Sequence, residues 1–123
     1  FGLSYTTFEY ANLRLSSPSI SLAGSLTISA DISNTGSRDA VETVQLYTRQ
    51  LAASITRPVR ELRAFRRVHL RAGEKQTVEF TLKASDLAFY NSKMQLAAEP
   101  GDFHVWVAPD SALGLQAAFK LTR

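Results

Sequence analysis

Apolar and polar residues alternate along most of this chain, in the pattern of β-strands with one buried and one solvated face. Residues 26–33 show the pattern most clearly, because Leu26, Ile28, Ala30 and Ile32 alternate with polar residues. The same alternation recurs in four further segments: 44–48, 78–82, 103–107 and 115–121. Turn-forming residues fall between the segments: Asn34-Thr35-Gly36, Ala72-Gly73-Glu74 and Glu99-Pro100-Gly101.

Segment 59–70 is apolar and charged without a clean alternation. Leu62 shares its parity with the later apolar residues of the segment, whereas Phe65 has the opposite parity. One extra residue near Ala64 would shift the register in this way, so we predict a β-bulge there. The three-residue spacing from Val59 through Leu62 to Phe65 leaves a short helix as the alternative.

These elements predict the fold class. About seven short strands, with no long amphipathic helix, are typical of an all-β antiparallel sandwich of the immunoglobulin-like or fibronectin type III-like kind. With 123 residues, of which 45% are hydrophobic, the chain can form one domain, 1–123, with a single core. Ser85-Asp86 is predicted to cap one helical turn through Leu87 to Phe89. The predicted core consists of apolar inward positions: Ile28, Ile32, Leu46, Phe80, Val105 and Phe119.

Positive charge is concentrated in residues 57–71, which contain six arginines and one glutamate, while the whole chain has a net charge of only +3. Such a stripe could contact phosphate, an acidic membrane surface or carboxylates on a partner protein, or could be a solvated edge strand. Nucleic acid is the least favoured partner, because Phe65 is the only aromatic residue among these arginines. Pro58 restricts the backbone of Arg57 to extended conformations, which fixes the direction of the Arg57 side chain.

The residues that usually carry catalysis or bind metals form no recognisable site. The chain has no cysteine, and His69 and His104 lack partners at ligand spacing, so we expect no metal and no cofactor. The eleven carboxylates are scattered over polar strand positions and turns, so we expect no catalytic residue. No run of about 18 apolar residues could span a membrane. The chain begins with Phe1 rather than Met, which indicates a cleaved product or an excised domain.

Trp106 is the residue whose position the strand pattern leaves unexplained. In segment 103–107, Phe103 shares one face with the valines, which leaves His104 and Trp106 on the face that should be solvated. Three kinds of cover are possible: a loop of this chain such as 89–98, another domain, or a sugar ring stacked on the indole. Tyr47, which is out of phase with the buried positions of its own strand, raises the same question.

Several motifs, in the same order along the chain, resemble the fibronectin type III-like domain that closes family-three glycoside hydrolases. The motifs that carry the resemblance are Gly2-Leu3-Ser4-Tyr5-Thr6-Thr7-Phe8, Asn34-Thr35-Gly36, Val44-Gln45-Leu46-Tyr47, Arg57-Pro58-Val59-Arg60-Glu61-Leu62-Arg63-Ala64-Phe65, Gly73-Glu74 and Glu99-Pro100-Gly101-Asp102-Phe103. Two residues depart from the family pattern: Ala64 stands where the family usually has glycine, and Ala72 where it usually has proline. The segment Ala108-Pro109-Asp110-Ser111 with Gly114-Leu115 is similar to the β-glucosidases of the bacterial periplasm.

The resemblance implies a role outside catalysis. Family members are retaining glycosidases whose two catalytic carboxylates lie in domains that precede this one, so the chain alone is expected not to be an enzyme. It implies a periplasmic or secreted β-glucosidase as the parent, which hydrolyses terminal β-linked glucose, or xylose, from oligosaccharides. Residues 1–5 would then be the end of a linker from the upstream catalytic domains.

The expected partners are the catalytic domains of the same polypeptide and, as an open alternative, a second subunit. The oligosaccharide substrate is expected to bind only to the parent, and we expect no contact with nucleic acid or a membrane. Candidate interface residues are Tyr5, Tyr47, Arg57, Pro58, Glu61, Phe65 and Trp106. The alternative functions are a carbohydrate-binding module and an independent adhesion sandwich. A binding module should expose two or more coplanar aromatic rings, for which Trp106 with Tyr47 or Tyr90 are the candidates.

Overall fold

The structure, a computed structural model, describes residues 2–5, 8–51, 60–87, 89–90, 96–98, 100–110 and 113–123. For residues 2–5, 89–90 and 96–97 we describe the backbone only. Arg57, Pro58 and Val59 lie outside the described residues, so the predicted direction of Arg57 stays a prediction.

The described residues form eleven strands and one 3₁₀ helix. In chain order the strands are β1 (Gly2–Tyr5), β2 (Phe8–Leu15), β3 (Ser19–Ser21), β4 (Ser25–Asn34), β5 (Ala40–Gln50), β6 (Glu61–Leu70), β7 (Lys75–Lys83), β8 (Phe89–Tyr90), β9 (Leu96–Ala97), β10 (Gly101–Ala108) and β11 (Leu115–Thr122). One sheet has the order β1-β2-β4-β7, and the other has the order β3-β11-β10-β5-β6. All pairs within these sheets are antiparallel except β3 with β11, and β8 pairs with β9 as a separate ribbon.

The two larger sheets enclose one hydrophobic core, which confirms the predicted β-sandwich of the fibronectin type III-like kind. The five segments with clear alternation all lie within strands, and the six predicted core residues are all buried. Phe103 and Phe119 stack between neighbouring strands, with ring centroids 5.1 Å apart. Removal of each large apolar side chain from water contributes about 1.5–3 kcal/mol to folding, so this core is the main source of stability.

Strand β2 is the long strand that the alternation does not predict, and Asn12 is the reason. Its φ of 56° places it in the left-handed region, and the register of β2 with β4 shifts between Ala11 and Arg14. Phe8 and Tyr10 are buried before the shift, whereas Leu13 and Leu15 pack on the core after it. The change of parity hides the strand from a period-two pattern. Residues 2–5, which the sequence analysis assigns to a linker, pair with β2 as β1.

The predicted bulge in β6 is confirmed. The register between β5 and β6 shifts because Ala64 lies opposite Leu46 and Leu62 lies opposite Tyr47, which leaves Arg63 as the extra residue. Residues 61–70 are all strand, so the alternative of a short helix is wrong for this part of the segment.

The helical turn after β7 is present, but with different bounds. The 3₁₀ helix covers Ala84–Leu87, so it starts earlier than predicted and ends before Phe89. Asp86 does not cap it from outside: it lies within the helix, and its Oδ2 accepts a hydrogen bond from the Lys83 backbone N–H at 2.8 Å.

Asn34 joins three parts of the chain at one end of the sandwich. Its Nδ2 donates to the carbonyl oxygens of Arg38 (2.8 Å) and Leu70 (3.0 Å), and its Oδ1 accepts from the Gly36 N–H (2.9 Å). The side chain is buried, so each of these bonds replaces one to water. The turn predicted at Asn34-Thr35-Gly36 is therefore fixed to β6 by this single amide.

Asp31 organises a polar cluster on the solvent side of the four-stranded sheet. Hydrogen bonds from Asn12 Nδ2 (2.9 Å) and Thr77 Oγ1 (2.7 Å), together with the guanidinium of Arg14 at 3.4 Å, stabilise its carboxylate. These interactions outweigh the effect of burial and lower the pKa of Asp31 below its ordinary value of 3.8.

We predict that Asn34→Asp destabilises the chain by about 3–5 kcal/mol at pH 7, because a carboxylate would face two carbonyl oxygens without a hydrogen to donate. Urea unfolding followed by the fluorescence of Trp106 measures this loss. Thr35→Asp introduces the same charge at an exposed neighbouring position and should change stability by less than about 0.5 kcal/mol. Equal effects of the two substitutions would contradict the role given to Asn34.

We also predict that the stabilising effect of Asp31 depends on pH. Because its folded-state pKa lies below the unfolded value near 3.8, its contribution is fully present above that pH and is lost as the pH falls through the folded-state pKa. The difference in unfolding free energy between wild type and Asp31→Asn should therefore shrink as the solution is acidified below about pH 4. Thr77→Val, which removes one of the hydrogen bonds, should give an intermediate result in urea titrations at several pH values. A difference that is constant with pH would contradict this account.

Candidate functional site: the outer face of the five-stranded sheet

One face of the five-stranded sheet points away from the core, and we call it the outer face. On β5 and β6 its side chains lie in opposite pairs: Val41 with His69, Thr43 with Arg67, Gln45 with Phe65, and Tyr47 with Leu62. The alternate residues of β5, including Val44 and Leu46, are buried against the other sheet.

Exposed apolar side chains gather on this face. Phe65 is 62% exposed, Leu62 51% and Val41 41%. The bulge brings the first two together, because the extra residue Arg63 places side chains three positions apart on the same side of β6. The outer face therefore presents two large apolar side chains, Leu62 and Phe65, side by side to solvent.

The centre of the outer face is a cluster of Arg60, Tyr47 and Trp106, which we call the Arg60 stack. Tyr47 and Trp106 are opposite each other on β5 and β10, and the Arg60 Cζ lies 4.8 Å from the centroid of each ring. Arg60 Nη2 also donates to the carbonyl oxygens of Asp110 (2.9 Å) and Leu113 (2.5 Å). The guanidinium therefore holds the β10–β11 connection against the sheet through cation–π contacts and hydrogen bonds together.

Arg60 lies over the ring of Trp106, the residue whose outward position the strand pattern leaves unexplained. Among the described residues, the ring contacts of Trp106 come from Arg60 and from His104, whose ring lies edge-on at 5.8 Å. Trp106 is half-buried and Tyr47 is buried, and the Tyr47 hydroxyl donates a hydrogen bond to Gln45 Oε1. The side chain of Arg60, which directly precedes β6, thus covers part of Trp106, and the three kinds of cover proposed from the sequence stay predictions for the rest of the ring.

Three arginines of the basic segment contact backbone carbonyls within the domain. Besides Arg60, Arg63 donates through Nη1 to the Asp86 oxygen (2.9 Å) and through Nε to Thr48 Oγ1 (2.8 Å). Arg66 donates through Nε to the Glu79 oxygen (2.7 Å). The segment is therefore not a continuous charged stripe, because these guanidinium groups, three residues apart in sequence, join the edge of one sheet to neighbouring parts of the fold.

The candidate interface residues do not all meet. The outer face brings together Tyr47, Phe65 and Trp106. Glu61 is not part of the outer face, because it lies opposite Thr48, which points into the sandwich. The Oε1 atom of Glu61 is 3.6 Å from Arg63 Nη2. For Tyr5 the structure describes only the backbone, within β1.

Arg60, Leu62 and Val41 are residues of this face that were not predicted from the sequence. The three-residue spacing of Leu62 and Phe65 across the predicted bulge was the available signal, because it places both side chains on one face. The carbonyl oxygens that the three arginines of the basic segment contact lie 13 to 53 residues away in sequence, as in the bonds to Glu79 and Leu113. A local sequence pattern therefore does not identify them.

The described residues contain neither a metal-binding cluster nor a helix that could span a membrane. His, Asp and Glu residues there do not come together in groups of three or more that could hold a metal ion. Over the same part of the chain, no helix has the length and apolar character that crossing a membrane requires.

Comparisons with known proteins find the chain similar to one part of several β-glycosidases. Residues 42–111 match the fibronectin type III-like domain family. The chain is 40% identical to the periplasmic β-glucosidase of Salmonella typhimurium over 98% of its own length and 16% of that protein. It is also 40% identical to a β-xylosidase of Formosa agariphila over 90% of its length and 15% of that protein.

Solved structures agree with these matches. A β-glucosidase from Erythrobacter marinus superposes with a TM-score of 0.88 at 37% identity and covers 99% of this chain. A β-glucosidase from Listeria innocua, solved with gluconolactone, superposes with a TM-score of 0.86 at 34% identity and covers the whole chain. In these two structures the match occupies only 16% and 17% of the solved chain, so this chain spans about a sixth of the proteins that it resembles.

We predict that Arg60→Gln lowers the stability of the chain by about 1.5–3 kcal/mol, because it removes charged hydrogen bonds and cation–π contacts at once. The emission of Trp106, the only tryptophan, should also change in the folded state. Arg67→Gln is the matched control, since Arg67 lies exposed on the same face without hydrogen bonds to described residues, and it should cost less than about 0.5 kcal/mol. Urea unfolding that cannot distinguish the two variants would contradict the Arg60 stack.

Proposed function

This chain belongs to the fibronectin type III-like domains of family-three glycoside hydrolases, and from that premise we propose that it is a non-catalytic accessory domain that docks on and stabilises the catalytic domains of its parent enzyme. The observation that carries the proposal is that Phe65 and Leu62 lie exposed in neighbouring positions of one sheet face, with Val41 exposed further along the same face. Exposed apolar surface of this kind is stabilised when another protein surface covers it. The catalytic domains of the same polypeptide are the partner that is always within reach.

The carboxylates of the chain support a non-catalytic role. A retaining glycosidase needs a nucleophilic carboxylate and an acid about 5–5.5 Å apart in a substrate cleft. Here Asp31 accepts a hydrogen bond from the Thr77 hydroxyl, and Asp86 accepts one from the Lys83 backbone N–H. Glu42 accepts one from the Tyr10 hydroxyl at 2.9 Å, and burial raises the pKa of Glu42. These groups act in local structure, so we assign both catalytic carboxylates to the parent outside this chain.

The parent that the relatives support is a β-glucosidase. We propose that it removes terminal β-linked glucose from oligosaccharides with retention of configuration, and that it acts in the periplasm or outside the cell. The relative named a periplasmic β-glucosidase favours glucose and this location, whereas the β-xylosidase relative keeps xylose as the alternative sugar.

The Arg60 stack favours docking over carbohydrate binding. A sugar platform needs aromatic faces that are open to solvent and lie in one plane. Arg60 covers the rings of both Tyr47 and Trp106, and Tyr47 is buried. A sugar would have to displace the guanidinium from two rings and two carbonyl oxygens, which disfavours the carbohydrate-binding alternative.

We predict that Phe65→Ser destabilises the full-length enzyme but not the isolated chain. In the parent the substitution should cost about 2–3 kcal/mol, because the ring is transferred from an interface to water. In the isolated chain the ring is already exposed, so the change should be below about 0.5 kcal/mol. Thermal midpoints and β-glucosidase activity of the parent, with urea unfolding of the isolated chain, make the comparison.

Leu22→Ser is the control for this experiment. Leu22 is 43% exposed but follows β3, at the opposite edge of the five-stranded sheet from β6, so its substitution should leave both proteins unchanged. Equal destabilisation of parent and isolated chain by Phe65→Ser, or no effect in either, would contradict docking through the outer face.

A further inference from the structure

Two arginines on the outer face, Arg49 and Arg67, differ from Arg60, Arg63 and Arg66 in their contacts. Arg49 on β5 and Arg67 on β6 are exposed, and neither forms a hydrogen bond or ion pair with the described residues. Arg60, Arg63 and Arg66 instead contact carbonyl oxygens of their own domain. The charges of Arg49 and Arg67 are therefore available to a partner.

The strand register gives the order of these residues along the face. Arg67 lies opposite Thr43, and the next outward pair on β5 and β6 contains Phe65. The pair after that contains Tyr47 and Leu62, and Arg49 is the next outward residue of β5, opposite His104 on β10. The apolar centre thus lies between two arginines whose positions differ by six residues along β5, about 20 Å.

Negative charge is absent from the outward positions of β5 and β6 within the described residues. These positions are Val41, Thr43, Gln45, Tyr47, Arg49, Leu62, Phe65, Arg67 and His69. The acidic residues of the two strands, Glu42 and Glu61, lie on the other side, where they interact with Tyr10 and Arg63. An arginine beside an apolar contact and without its own carboxylate matches a carboxylate on the opposing surface.

We propose that the outer face fits an apolar pocket of the catalytic domains that receives Phe65 and that is bordered at both ends by carboxylates, one facing Arg67 and the other facing Arg49. This inference rests on the proposed docking function and adds the chemistry of the partner surface. The occupant is the remainder of the same polypeptide, because the relatives are about six times longer than this chain and a tethered partner outcompetes a free one. The apolar centre supplies affinity, and the two arginines set the orientation of docking.

Charge reversal in the full-length enzyme tests the two acidic borders. Arg67→Glu and Arg49→Glu should each lower the thermal midpoint by about 2–4 °C at low ionic strength, and the loss should shrink in about 0.5 M salt. Arg67→Gln and Arg49→Gln, which remove the charge without reversing it, should give smaller losses in the same direction. Lys75→Glu makes the same change of charge on the other sheet, where Lys75 is exposed, and should leave the midpoint unchanged.

The outcomes separate this inference from the proposed function. If Phe65→Ser destabilises the parent while both reversals behave like Lys75→Glu, docking stands and the acidic borders are wrong. If Phe65→Ser is also without effect, the docking function itself is wrong. Light scattering on the same variants checks the occupant: a reversal that lowers the molar mass of the particle and leaves the midpoint unchanged would assign the carboxylates to a second subunit and overturn the inference.

Discussion

One extra residue in β6, Arg63, determines which side chains of the five-stranded sheet reach solvent. Before it, Leu62 points outward beside Tyr47, and after it Phe65 points outward beside Gln45, while Ala64 remains against the core. A regular strand cannot place residues three apart on one face. The exposed pair of Leu62 and Phe65 is thus a product of the bulge, and so is the position from which Arg63 reaches Thr48 and the 3₁₀ helix.

Arginines connect this edge to the rest of the fold. Arg63 and Arg66 reach carbonyl oxygens at and after β7, on the opposite sheet, and Arg60 reaches those of the β10–β11 connection. Each guanidinium carries several N–H donors in a rigid plane, so one arginine can donate hydrogen bonds to more than one acceptor at the same time. The same residue type therefore has two settings here: Arg60, Arg63 and Arg66 hold parts of the domain together, whereas Arg49 and Arg67 are exposed on the outer face.

The sequence predicts those parts of the fold in which burial follows a simple period. Segments such as 26–33 are recognisable because every second residue is apolar, and Trp106 was recognisable as a residue out of phase with its strand. Strand β2 was not predicted, because the left-handed Asn12 reverses the parity halfway along. The Arg60 stack was not predicted either, because it depends on the register of β5 with β10 and on a connection more than fifty residues away, which local patterns do not encode.

Strand β6 is an edge strand of its sheet, and no described strand pairs with its outer side. An edge strand of this length could pair with a strand of another molecule, which is the first step of aggregation. The bulge at Arg63 interrupts the regular spacing of its donors and acceptors, and the cationic side chains of Arg66 and Arg67 repel a second copy of the same edge. The irregularity that exposes Leu62 and Phe65 therefore also disfavours pairing between the β6 edges of two copies of the chain.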